Sequence, residues 1–279
     1  MTGSFLRLGA FVLGLLGLRG IEIFSPDHPP TVPRPARWLV NLGFGAVNGI
    51  LVSLACATCY ALSARSDFTA HLGLLRPLGL SAWTRIPLEI VLLDLVTYLL
   101  HRAYHVVPLL WRLHVVHHSD LDLDVSSASR FHTGEVIVSS IVKIGVVVLI
   151  GISPQGLVVF ETVMLACAQF QHANIRLPGR LESGLWWTFV PPAMHRIHHT
   201  PTREDTNSNY GTILTVWDWL LGTLRRRPPN PGPSFGVEAL RDPRALRITG
   251  LVLLPFRRGS FVSERPGKES ASLISAPQR

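Results

Sequence analysis

Eight of the chain's twelve histidines fall into three tight groups: His101 and His105; His114, His117 and His118; His195, His198 and His199. Neutral imidazole is a common metal ligand, and helical side chains three or four apart share a face. The first two groups lie in H-R-A-Y-H-V-V-P-L-L-W-R-L-H-V-V-H-H, residues 101–118, and H-R-I-H-H at 195–199 repeats the later half. His132 and His172 lie between the second and third groups. One ion takes about four to six ligands, so ten histidines suit two ions better than one. The motifs of other metal sites are missing: the chain has no E-x-x-H, as in soluble di-iron bundles, and no H-E-x-x-H, as in zinc proteases. Bis-histidine haem proteins use single histidines on separate helices, which three boxes with His-His pairs do not match. A lone histidine is more often incidental, so His28 in a proline-rich turn reads as a solvated loop residue and His71 as a bystander.

The elements that must position these rings are apolar. The chain is 47% hydrophobic and only 16% charged, where a soluble domain carries about a quarter charged residues. Its cysteines, Cys56, Cys59 and Cys167, sit in apolar runs and form no disulfide framework. Residues 5–24 read as a retained, weak first helix, since Arg7 and Arg19 and the lack of a small-residue cleavage site argue against a signal peptide. Trp38–Leu62 is long enough to cross a bilayer, which needs about 20 helical residues. Residues 63–85 form a broken surface or re-entrant segment. Ile86–Leu110 is the next span, holding Asp94, His101 and His105 on one stripe until Pro108 kinks or ends it. Ionisable groups within such a span are functional candidates by default.

Val136–Gly151 and Leu157–Phe170 are apolar runs joined by a Ser-Pro turn and read as a helical hairpin; Lys143 in the first must snorkel or face protein. The hairpin leaves just after His132 and returns just before His172, so all ten histidines can meet at one membrane face. That face also carries most of the arginines, including Arg225-Arg226-Arg227, and the positive-inside rule makes it cytoplasmic. The expected fold is all-α: a polytopic membrane protein of about four to five transmembrane or re-entrant helices with a cytoplasmic-side, histidine-ligated dimetal site. The expected units are membrane helices at 1–87, the histidine-box region at 88–224 and a basic, Pro-rich tail at 225–279, disordered beyond Gly259. Within that tail, Ile248–Phe256 is too short to span and suits a membrane surface. The formal charge of +8 fits a face near anionic lipid; no nucleic-acid-binding signature accompanies it.

The order H-x3-H, H-x2-H-H, H-x2-H-H resembles the fatty acid hydroxylase/sterol desaturase superfamily of membrane non-haem di-iron enzymes. The resemblance extends to Asp94-Leu-Val-Thr-Tyr98-Leu-Leu-His101, to Trp111-Arg112-Leu-His114 and His118-Ser119, and to Met194-His195 with Asn209-Tyr210-Gly211 and Trp217-Asp218-Trp219. Arg130-Phe131-His132 and Gln171-His172-Ala-Asn174 match the family's intermediate histidine positions. It implies two iron ions, with zinc as a substitute in purified protein, held by His101, His105, His114, His117, His118, His132, His172, His195, His198 and His199. It implies an O2-dependent monooxygenase that hydroxylates or desaturates a lipid such as a fatty acyl chain, sterol, carotenoid or ether lipid. Asp94 is expected to accept an N–H from a ligating ring and fix its tautomer; Asn209 and Asp218 are weaker candidates of the same kind. No fused redox domain or G-x-G-x-x-G fingerprint is present, so the expected electron donor is separate, a ferredoxin or cytochrome b5-like protein with its reductase. The rival reading is a histidine-rich membrane metal-binding or transport protein without oxygenase activity. Transport predicts ionisable residues spread across the bilayer depth, whereas these gather at one face. A non-catalytic relative is the third reading, disfavoured because every box is kept.

Overall fold

The computed structural model describes residues 2–64, 73–226, 234–242 and 246–257. Arg65, Asp67, His71 and Arg227, like the tail beyond Gly259, lie outside the described residues. Within them the chain is all-helical, with one isolated antiparallel bridge between Phe189 and Leu214. The long helices are α1 (Thr2–Phe24), α2 (Arg34–Ala64), α3 (Ala82–Val106), α4 (Pro108–His118), α5 (Thr133–Ile150) and α6 (Pro154–His172). Short helices follow: α7 (Gly179–Leu185), α8 (Pro192–His198), α9 (Arg203–Thr206), α10 (Val216–Leu220) and α11 (Ile248–Leu253). Residues 34–62 of α2 and the whole of α5 are long and apolar enough to cross a membrane. The bent pair α3–α4 makes a third if it is one span.

The bend is what sequence spacing alone does not reveal. Val107, held extended at φ −94° and ψ 114° by the following proline, ends α3, and Pro108 starts α4 at a position where its missing N–H is no loss. The two axes meet at 100°. His101 and His105 at the end of α3 are thereby turned toward His114 and His118 on α4. The α5–α6 hairpin forms as expected: Gly151 ends α5 at φ 78° and Ser153 caps α6 by accepting from the Gly156 N–H. Lys143 faces protein, paired with Glu161 of α6.

Residues 119–130 follow the second box and, Leu121 apart, are buried. Arg37 of α2 pairs with Asp120 at 2.7 Å and with Asp124 at 2.9 Å. Asp122 accepts from the Thr31 and Val32 N–H groups, pinning the proline-rich turn. That turn is tied from the other side by Asn174, whose Oδ1 accepts from the Asp27 and His28 N–H groups. His28 is therefore not solvated: it is buried, its ring 5.1 Å from that of Phe235. Segment 248–256 packs onto α4, where Leu251 and Leu254 join Phe44, Trp111 and Val115 in one cluster, and leaves Leu253 and Phe256 exposed.

Burial alone would raise the Asp120 carboxyl, but the Arg37 and Arg130 guanidiniums outweigh it and hold the group well below the usual carboxylate range. A depressed folded value means stability that is present above the ordinary value of about 3.9 and lost as pH falls toward the folded one. Asp120→Asn takes the neighbouring carboxylate from buried Arg130 and leaves Arg37 with Asp124 alone, and is expected to destabilise the protein by about 3–5 kcal/mol. Thermal unfolding of the detergent-solubilised variant at neutral pH checks this; an unchanged midpoint would remove the pair from the segment's stability.

Candidate metal centre

Nine of the ten expected histidines converge into two adjacent groups that can each hold a metal ion. His101, His105, His114, His118 and His198 form one; His117, His172, His195 and His199 form the other. Within each group the ligand atoms all lie within 4.8 Å of one another. The partition explains the spelling of the boxes. Pairs four apart, His101 and His105, His114 and His118, His195 and His199, each serve one group, because i and i+4 stack on one helical face. Consecutive helical residues diverge by about 100°, so His117 and His118 serve different groups, and so do His198 and His199 at the end of α8. The groups touch where the rings of His118 and His199 stack at 4.3 Å.

Five rings have Nδ1 tied from outside. His101 Nδ1 lies 2.8 Å from the Tyr210 carbonyl, His117 Nδ1 3.2 Å from that of Arg130, His172 Nδ1 2.7 Å from that of Ala168 and His198 Nδ1 2.7 Å from that of Ser208. A carbonyl only accepts, so each of these nitrogens carries the proton and donates it. In the fifth, His114 Nδ1 donates to Glu135 Oε1 at 2.7 Å. A neutral ring fixed in this way has Nε2 as an unprotonated acceptor. Yet His117 Nε2 and His172 Nε2 face each other at 3.1 Å. Two lone pairs at that distance repel unless a cation lies between them. In the five-histidine group every Nε2 is buried without a hydrogen-bond partner among the described residues, an arrangement that is costly unless the atoms bind something. The donor set therefore fits metal ions.

Burial keeps the rings of the third box neutral. It pushes His198 down to about 3, and His195 and His199 well below the ordinary histidine range. Charging any of them would place a cation among buried rings, so they remain acceptors at neutral pH.

His132 stands outside both groups. Its Nδ1 accepts from the Gly134 N–H at the start of α5, and its Nε2 lies 3.2 Å from the Val252 carbonyl. The ring caps a helix and is covered by the folded-back 248–256 segment. His132→Ala is expected to leave metal content unchanged and to lower stability by about 1 kcal/mol, the usual value of an N-cap. Metal analysis beside thermal unfolding checks both halves.

Among the described residues no hydrogen bond joins Asp94, Asn209 or Asp218 to a histidine ring, so the N–H groups that Asp94 accepts come from elsewhere. Its two oxygens accept from the Ile213 and Leu214 N–H groups, each at 3.1 Å, and from Trp217 Nε1 at 2.8 Å. Asp218 accepts from the Tyr210 N–H at 2.8 Å and the Gly211 N–H at 2.7 Å; burial raises its carboxyl above the ordinary range. Asn209, in the left-handed region at φ 53°, donates to the Met194 and Arg225 carbonyls and accepts from the Arg225 N–H. Together they grip the loop 209–214 that presents the Tyr210 carbonyl to His101. They stand one step removed from the rings. Among the described residues, the side chain that accepts an N–H from a clustered ring is that of Glu135, which sequence reasoning passed over. A signal existed: an acid three residues after His132, in the first turn of an apolar helix.

Comparison with known proteins agrees with this geometry. Residues 86–223 match the fatty acid hydroxylase family. An ornithine lipid hydroxylase of Rhizobium tropici is 31% identical over 158 residues, 55% of this chain and 45% of that one. A human alkylglycerol monooxygenase is 30% identical over 135 residues, covering 46% of this chain and 27% of its own. A cholesterol 25-hydroxylase of Rattus norvegicus is 25% identical over 194 residues, 62% and 63% respectively. The matches thus span from about a quarter to under two thirds of these relatives' lengths. No solved structure matches the chain. Through the segment 86–223, this chain belongs to the fatty acid hydroxylase/sterol desaturase superfamily.

Proposed function

We propose that the protein is a membrane-bound di-iron monooxygenase that hydroxylates a C–H bond of a lipid with O2 and electrons from a separate donor. The observation that carries this reading is the pair of neighbouring groups, five and four imidazoles, with acceptor nitrogens facing inward. Five nitrogen donors exceed the four of a tetrahedral zinc site, which favours iron, with zinc as a substitute in purified protein. The relatives are named as hydroxylases and monooxygenases, which favours hydroxylation over desaturation. It also disfavours the transport reading.

Bound iron would supply O2 activation. Overall, one oxygen atom enters the C–H bond and the other leaves as water, consuming two electrons and two protons from a ferredoxin or cytochrome b5-like donor with its reductase. The chain's own residues do the rest. The five Nδ1 bonds hold tautomer and ring direction, Glu135 makes the His114 ring a stronger donor, and burial of the histidines keeps bulk water out. The loop grip of Asp94, Asn209 and Asp218 keeps the Tyr210 carbonyl in place.

The proposed setting is a bilayer crossed or entered by four to five helices, with the metal centre at the cytoplasmic face. The catalytic unit is 88–224, carried on the helices of 1–87 and followed by the basic segment 225–279. Arg226 lies over the rings of Trp186 and Trp187, at 5.0 and 5.1 Å, and Trp187 is 68% exposed, a pairing suited to the membrane interface.

Purified protein, assayed for metals and then given O2, a reducing system and total membrane lipid, tests the reading. The expected result is iron in the protein and a lipid heavier by one oxygen atom. Iron-loaded, reducible protein that leaves every lipid unchanged across both donor classes would overturn the oxygenase assignment.

A further inference from the structure

We infer that the protein takes its lipid with an oxyanion head at the rim of one cleft, so that a carbon next to the head, and not the chain end, faces the metal centre. This rests on the lipid-hydroxylase reading above and adds where on the lipid it acts. A cleft of about 120 Å³ reaches the five-histidine group, with His105 and His118 in its lining. Sites that enclose a whole drug-sized ligand are about 300–1,000 Å³, so this one admits only part of a lipid.

The two sides of the cleft differ in chemistry, and that decides which part enters. Val106, Pro108 and Trp111 form one wall. They come from the α3–α4 bend, and the apolar surface continues outward through Val106 and Leu109, which are 59% and 72% exposed. Arg203, which is exposed, and the half-buried Asn207 line the cleft from a different segment, at α9 and its end. Among the described residues no protein acceptor engages the Arg203 guanidinium or the Asn207 amide, whereas the neighbouring Thr200 and Thr206 hydroxyls are spent on Ile197 and Thr200 carbonyls. A guanidinium and an amide N–H beside each other suit a carboxylate or phosphate. With the head there and the chain along the Val106–Leu109 wall, the carbons joining them lie over His105 and His118. Entry by the chain end would instead bring hydrocarbon against the Arg203 guanidinium and leave the head in the apolar region. The product is then an alcohol beside the head, formed with the stoichiometry already given.

The test uses photoreactive lipids on the purified full-length protein in lipid vesicles. Two long-chain fatty acids of equal length carry a diazirine either beside the carboxylate or at the chain end. Two phosphatidates carry the same pair of positions. The head-proximal probes are expected to label peptides containing residues 105–118 or 200–207, and the class that labels identifies the head as carboxylate or phosphate. Arg203→Glu is expected to lower that labelling by about tenfold, the effect of losing a charge-assisted hydrogen bond. Labelling of those peptides by the chain-end probes alone, or by none of the four, overturns the inference. Labelling is independent of turnover. A head-proximal crosslink on a protein that oxidises no lipid would sustain the binding mode and remove the oxygenase reading. Product oxygen at mid-chain or chain end would do the reverse.

Discussion

His195→Ala is expected to strip one ion from the protein, whereas His105→Ala is expected to keep both and still lose turnover. The difference follows from the unequal groups. Removing His195 leaves three ligands, His117, His172 and His199, for an ion that had four. Removing His105 leaves four, His101, His114, His118 and His198, which still make a complete ligand set. Dialysis against a chelator that spares the wild type should therefore bring His195→Ala from about two metals per chain to about one, with His105→Ala staying near two. Activity should fall in both by at least about a hundredfold, since even removal of a residue behind a ligand costs about 10–100-fold. His132→Ala, lying outside both groups, serves as the histidine control. Equal metal loss in His195→Ala and His105→Ala would mean that the two groups do not bind separate ions. No loss in either would mean that the imidazoles are not the ligands.

The histidine groups were legible because helical geometry is local: spacing of four writes itself into the sequence, and so does the divergence of neighbours. Nine of the ten rings could be named before any coordinates. His132 could not be separated from them, because its exclusion depends on the Gly134 N–H and on a carbonyl 120 residues later, at Val252. Asp94 and Asp218 stood out as acids in apolar surroundings, but their partners lie on another segment. Asp94 binds N–H groups 119 and 120 residues away, and sequence spacing holds no record of such a distance. His28 was misjudged for the same reason. A proline-rich turn reads as exposed unless one knows that Asn174 and Asp122 tie it down from two sides. The helices were legible as apolar runs, whereas the 100° bend at Val107 was legible only as a proline. That bend is what turns the α3 boxes toward the α4 boxes and opens the cleft beside Trp111.

Glu135→Gln is expected to lower activity by about 10–100-fold, the range for a residue that supports a metal-bound histidine, while the helices remain folded. Glu135 is 5% exposed, and its Oε1 takes the His114 N–H at 2.7 Å. Its other oxygen has no hydrogen-bond partner among the described residues, so the His114 bond is the chief polar contact of its side chain there. The amide of Gln still offers an oxygen to that N–H, so ring direction survives. What is lost is the negative charge that strengthens Nε2 as a donor toward the metal. The five-histidine group should then bind its ion more weakly and shift in midpoint potential, with no comparable change in the four-histidine group. A merely structural role predicts a different result: lower thermal stability, unaltered metal affinity, and activity recovered in proportion to folded protein. Glu135→Asp separates the two accounts from the other side. It keeps the charge but shortens the reach, so it should retain more metal affinity than Glu135→Gln if charge is what matters, and less if reach is. Equal metal affinity and potential in wild type and Glu135→Gln would mean that the Glu135 charge does not strengthen His114 as a donor and would reduce its part to holding the ring direction.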